Sequence, residues 1–163
     1  MVVLARIRAR RRDPDVWSLL DEARELAVVA GELQRTAPVA AARAEAHWLN
    51  GDTHLVASEV REPFELALAL KRPWPIGELG WWLWRAGELD EPPDGASRPF
   101  ALQMAGDWEA AAAEWTEHGF PYEAAMALLD SPHVKDLRSA VETFDRLGAV
   151  AAREFAGHRR RQL

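Results

Sequence analysis

Apolar residues recur at three- and four-residue spacing along most of the chain. Val16, Leu19, Leu20, Ala23, Leu26 and Ala27 make one helical stripe. Asp13-Pro14 precedes it as cap and first-turn proline, and Gly31 follows it as a stop. The same pattern predicts helices over about 2–12, 36–50, 52–70, 75–86, 98–105, 108–118, 121–130, 133–147 and 149–160. Pro63 falls inside 52–70 and is expected to break or kink that helix, because it removes one backbone bond and clashes with the preceding turn. The segment DEPPDGAS, 90–97, reads as the one true loop. Period-two alternation is absent and β-branched residues are few, so no strand is expected. The expectation is an all-α chain of about nine to ten helices, one domain over 1–163, with loop 90–97 separating two sub-blocks.

A repeat lies in the second half. Asp107-Trp108, Ala111, Trp115 and Gly119 match Asp136-Leu137, Ala140, Phe144 and Gly148 at a displacement of 29 residues. The alanine lets a neighbouring helix approach, the aromatic fills the groove one turn on, and the glycine ends the helix. Repeated helix pairs of this kind point to antiparallel pairs stacked as an irregular tetratricopeptide-like α-solenoid.

The stretch GELGWWLWRAGEL, 77–89, holds three tryptophans in four residues. At 100° per residue, Ile76, Leu79, Gly80, Leu83 and Ala86 share one face, and Glu78 and Arg85 define the opposite one. Trp82 and Trp84 flank the apolar stripe and are expected in the core. Burying an aromatic ring is worth roughly 4–6 kcal/mol before entropy, which a domain of ordinary stability does not forgo lightly. Trp81 lies nearest Arg85 and Glu88 and has two readings. It is covered by the next helix pair, or it lines a groove with Trp74 or Trp48 and stacks on a sugar or aromatic ligand. Trp81, Trp74, Trp48 and Arg85 are therefore the candidate ligand or partner contacts.

Composition narrows the chemistry. Hydrophobic residues make up 48% and charged residues 28%, ordinary for a globular chain. There is no cysteine, no signal-like N-terminus and no run apolar enough to span a bilayer, so a cytoplasmic protein without membrane contact is expected. The net charge of −6 conceals basic ends. Arg6, Arg8, Arg10, Arg11 and Arg12 lie at one end and Arg153, Arg159, Arg160 and Arg161 at the other. They read as solvated helix ends, and the acidic middle argues against direct nucleic-acid binding. No phosphate-binding loop, nucleophile elbow or zinc-protease motif occurs. The five histidines are scattered, and Glu59, Glu62 and Glu65 read as a solvated face. Tyr122 reads as packing at a helix start. No catalytic residue, cofactor or metal site is expected.

The segments LARIRARRRDPDVWSLLDEARELA (4–27), GELQRTAPVAAARAEAHWLNGD (31–52), GELGWWLWRAGELDEPPDG (77–95) and PFALQMAGDWEAAAAEWTEHGFPYEAAMALLD (99–130) resemble the helical repeat region of large LuxR-type, ATP-dependent transcriptional regulators. In that family an ATPase precedes the repeats and a helix-turn-helix follows them. The resemblance implies a sensor or scaffold role toward a partner protein or a small effector, and it carries over no site residue. The chain is then expected to be an excised module, a natural fragment or a stand-alone relative. Arg159 to Leu163 would sit in the last helix. Alternatively, Val2, Val3, Leu4 and Ile7 form a dimer interface and the chain is a self-associating scaffold.

Overall fold

The computed structural model describes residues 1–161 and is helical throughout its regular parts. Ten helices are present among the described residues. They are α1 (Val2–Arg11), α2 (Val16–Ala30), α3 (Leu33–Asn50), α4 (Thr53–Ala69), α5 (Pro73–Arg85), α6 (Arg98–Met104), α7 (Trp108–Glu117), α8 (Pro121–Leu129), α9 (Val134–Leu147) and α10 (Val150–Arg160). Most start and stop close to their sequence signals, but α2 begins at Val16 with Asp15 at its cap position, so Asp13-Pro14 lies in the α1–α2 turn and does not cap the helix. Gly51 and Gly148 take left-handed φ values of 89° and 67° just past α3 and α9, a conformation glycine adopts without steric cost. Gln162 and Leu163, the end of the segment expected to join the last helix, lie outside the described residues.

The break expected at Pro63 does not occur. Helix α4 runs unbroken from Thr53 to Ala69. It is packed between α3 and α5, so tertiary contact holds the turn that has lost a backbone bond. Helix α3 also accommodates an internal proline, Pro38.

Successive helices pack as neighbours from α3 through α10, and α10 then returns to touch α1 and α3. Phe155 of α10 lies against Trp48 of α3, with ring centroids 4.5 Å apart. One large apolar core runs from Leu33 to Ala156 and includes residues on both sides of loop 90–97. Helix α3 is the hub, in contact with α1, α2, α4, α5 and α10. Its alanines 40, 41, 42, 44 and 46 are all buried, which lets the backbones of its neighbours come close.

The repeated residues occupy matching places. Ala111 and Trp115 of α7, and Ala140 and Phe144 of α9, are fully buried. The two aspartates diverge. Asp107 caps α7, accepting from the Ala110 amide at 3.3 Å. Helix α9 begins a turn earlier, so Asp136 sits within its first turn and accepts from the Ser131 hydroxyl at 2.6 Å.

Candidate functional site

Helix α1 lies across α3 with an inverted polarity. It buries Ala5 and Ala9 and turns Val3, Leu4 and Ile7 outward. Two of its arginines point inward, four residues apart and so on one helix face. Arg10 donates to Glu45 of α3 twice, at 2.6 and 3.2 Å, and to Glu123 of α8 at 3.3 Å. Its guanidinium stacks 3.5 Å from the centre of the Tyr122 ring. Arg6 donates to Glu78 of α5 at 2.5 Å and approaches Glu45 at 3.6 Å. A cleft built by α3, α5 and α8 thus presents three carboxylates and an aromatic plate to the two guanidinium groups.

Burial works against the charge on Glu45, which is 3% exposed, but Arg10 and Arg6 outweigh it and hold its carboxyl below the ordinary range. Burial likewise opposes the charge on Arg6 and Arg10, and the surrounding carboxylates more than compensate. Burial, then the Glu45 charge, pushes the Tyr122 phenol well above its usual range. The basic N-terminus is therefore not all solvated helix end. Arg6 and Arg10 are structural ligands of the cleft, and Arg12 pairs with Glu154 of α10 at 2.9 Å.

Beneath the two arginines lies a crevice of about 40 Å³, lined in part by Trp81, Gln103 and Tyr122. Three residues that line it carry a buried N–H without a hydrogen-bond partner, Arg6 Nε, Trp81 Nε1 and Gln103 Nε2, while the Tyr122 hydroxyl is directed at Glu45. Gln103 cannot turn away, because its carbonyl accepts from Trp115 Nε1 at 2.9 Å.

The sequence-derived candidates split into two places. Trp81, Trp48 and Arg85 come together. The Arg85 guanidinium lies between the rings of Trp48 and Trp81, 4.7 and 4.5 Å from their centres, and donates to Asp130 at 2.7 Å. Both tryptophans are buried. Trp74 stands apart, 46% exposed, edge-on to Phe100 and Trp115 and near Phe120.

The helical wheel needs two corrections. Trp81 and Trp82 are buried, while Trp84 is only partly covered. The supposed polar face is not solvated, since Glu78 and Arg85 both point inward to ion pairs. The cause is that α5 is enclosed on several sides by α3, α4 and α6, and is reached by side chains from α1 and the α8–α9 turn. A similar correction applies to Glu59, which is drawn in by Arg43 at 2.8 Å, while Glu62 and Glu65 are solvated.

Sequence reasoning missed Glu45, Gln103 and Glu123. A signal for Glu45 existed. Its neighbours on the same helix face, Ala41, Ala42, Trp48 and Leu49, are apolar, and Arg43 and His47 lie on other faces, so a carboxylate there has to find cations from outside its own helix.

Among the described residues, no group of three acidic or histidine side chains is placed to hold a metal ion, and no helix is long and apolar enough to cross a membrane. Compared with protein-family models, curated proteins and solved structures, the chain matches none.

Proposed function

We propose that this chain is a non-catalytic helical-repeat module for protein interaction, the sensor or scaffold part of a LuxR-like regulator or a remnant of one. The observation that carries the reading is a surface depression of about 350 Å³ where α1 meets the α7–α8 and α9–α10 turns. Three exposed apolar side chains, Ile7, Phe120 and Leu147, converge on it. The apolar surface continues along α1 through Leu4 to Val3, which is 71% exposed. Contiguous exposed apolar surface rimmed by charge, here Arg11 and Glu123, is the mark of a contact site. The matched roles of α7 and α9 support the tetratricopeptide-like reading of the stacking.

The test places a photo-crosslinking residue at Ile7, with Glu65 on a solvated face as control, and crosslinks in cells. The reading expects an Ile7-specific adduct with a protein carrying an ATPase or helix-turn-helix domain. A self-adduct at Ile7 makes the module a self-associating scaffold. Equal or absent adducts at both positions overturn the interaction reading.

A second reading rests on the crevice. Its unpaired donors, the N–H groups of Trp81 and Gln103, suit a small effector that carries an acceptor group.

A further inference from the structure

We propose that α1 exchanges between two copies of this chain, so that Arg6 and Arg10 of one copy occupy the Glu45–Glu78–Glu123 cleft of the other. This goes beyond the partner-binding reading, because it concerns the opposite, inward face of α1.

The way α1 is held is the first reason. Its fully covered apolar side chains are only Ala5 and Ala9. By contrast α9 is anchored by Leu137 and Phe144. Lifting α1 therefore withdraws only small side chains of its own from the core it shares with Val16, Leu20, Ala42 and Ala46, and its arginines are readily hydrated once released. Helix α1 is bound by charge more than by packing, and such a helix separates from its seat more readily than one anchored by large side chains.

The hinge is the second reason. Four exposed residues, Arg12 to Asp15, join α1 to α2. Arg12 has φ 58° and Asp15 has φ 64°, both left-handed and neither a glycine. The two flank Asp13-Pro14, so the tight reversal is made with residues that disfavour it. When α1 folds back on its own body, both must stay in that conformation. When the hinge opens to reach a second copy, Arg12 keeps its conformation as the C-cap of α1, where its amide and that of Asp13 bond to Ala9 and Arg8 carbonyls, but Asp15 is released. The closed and exchanged forms share every contact α1 makes with a cleft, so the hinge decides between them. A strained hinge beside a separable terminal element is the setting in which exchange occurs.

The cleft itself is the third. Glu45, Glu78 and Glu123 belong to α3, α5 and α8 and remain when α1 leaves. Three carboxylates lining one crevice then lose their guanidinium partners. The vacant cleft calls for a helix with guanidinium groups four residues apart, and α1 of a second copy supplies that. Four hinge residues reach at most about 14 Å. The two copies must therefore lie side by side about a twofold axis, each filling the other's cleft.

The test uses full-length variants in a chain with no other thiol. Ala9 and Ala46 belong to the same small core under α1. Ala9→Cys and Ala46→Cys are made separately, mixed at ~100 µM and mildly oxidised. Exchange predicts a mixed covalent dimer at least about ten-fold above a mixture of Ala9→Cys with Glu65→Cys, and reduced several-fold when Asp15→Gly relieves the hinge in both chains. Light scattering on the wild-type chain asks the same question without thiols. A dimer fraction that rises with concentration and falls in Asp15→Gly is expected. A mixed yield no higher than the control, together with a wild-type mass that stays monomeric, overturns the proposal. So does a dimer that Ile7→Glu abolishes and Asp15→Gly leaves alone, since that association runs through the outer face.

Discussion

Replacing Glu45 by glutamine removes one charge and little volume, so it isolates the electrostatics of the cleft. Glu45 accepts two bonds from Arg10 and lies 3.6 Å from Arg6. Removing one partner of a buried ion pair costs about 3–5 kcal/mol. Here the loss is smaller. Arg6 keeps Glu78 and Arg10 keeps Glu123, both arginines are about a fifth exposed, and the glutamine carbonyl still accepts a bond. The expected destabilisation is therefore about 2–3 kcal/mol at pH 7, or a fall of about 5–10 °C in Tm for a chain of this size. The pH dependence is the sharper check. The Glu45 carboxyl is depressed in the folded state, so its stabilisation is fully present above the ordinary carboxylate pKa of about 4.3 and disappears as pH falls through the lower, folded value. Urea denaturation followed by circular dichroism, from pH 7 down to about 2.5, measures both effects. The wild-type and Glu45→Gln curves should converge at the acid end. A deficit under about 0.5 kcal/mol at pH 7, or one that persists unchanged in acid, refutes the assignment of Glu45 as the charged centre of the cleft.

Two further outcomes follow from the geometry. Gly77→Ala raises helix propensity by about 1 kcal/mol, yet an added Cβ would lie 2.6 Å from Ser97 Oγ and 2.9 Å from Phe100 Cδ2. A net loss of about 1–3 kcal/mol by thermal denaturation is expected, and a gain would show that the α5–α6 contact is loose. In acrylamide quenching of tryptophan fluorescence, Trp81→Phe should remove only a shielded component, while Trp74→Phe removes a readily quenched one. The reverse assignment would place Trp81 at the surface and return it to the role of an open stacking platform. A small effector in the crevice should alter the contributions of Trp81 and Trp82, which both line it, and leave that of Trp74 unchanged.

The helices were legible because their signals are local. Gly31, Gly51 and Gly148 stop three helices in left-handed conformations. The 29-residue repeat correctly marked Ala111, Trp115, Ala140 and Phe144 as packing residues, because the small–large spacing describes one helix face whatever lies opposite. The candidate site was legible only in fragments. Trp81 and Trp48 do meet at Arg85, but Arg85 is held there by Asp130, which no pattern on α5 points to. The cleft was hidden because its members come from α1, α3, α5 and α8, up to 113 positions apart in the chain.

Periodicity, capping residues and glycines were sufficient to place the helices of an all-α chain and most of its core, since each depends on neighbours within one or two turns. Which charges are inside was decided only by the tertiary structure. A wheel assigns Glu78 and Arg85 to water because charged side chains are costly to bury alone. Once α10 closes back on α3 and α1 crosses that hub, each buried charge meets an opposite one from a distant helix, and the cost that sorted them outward is offset.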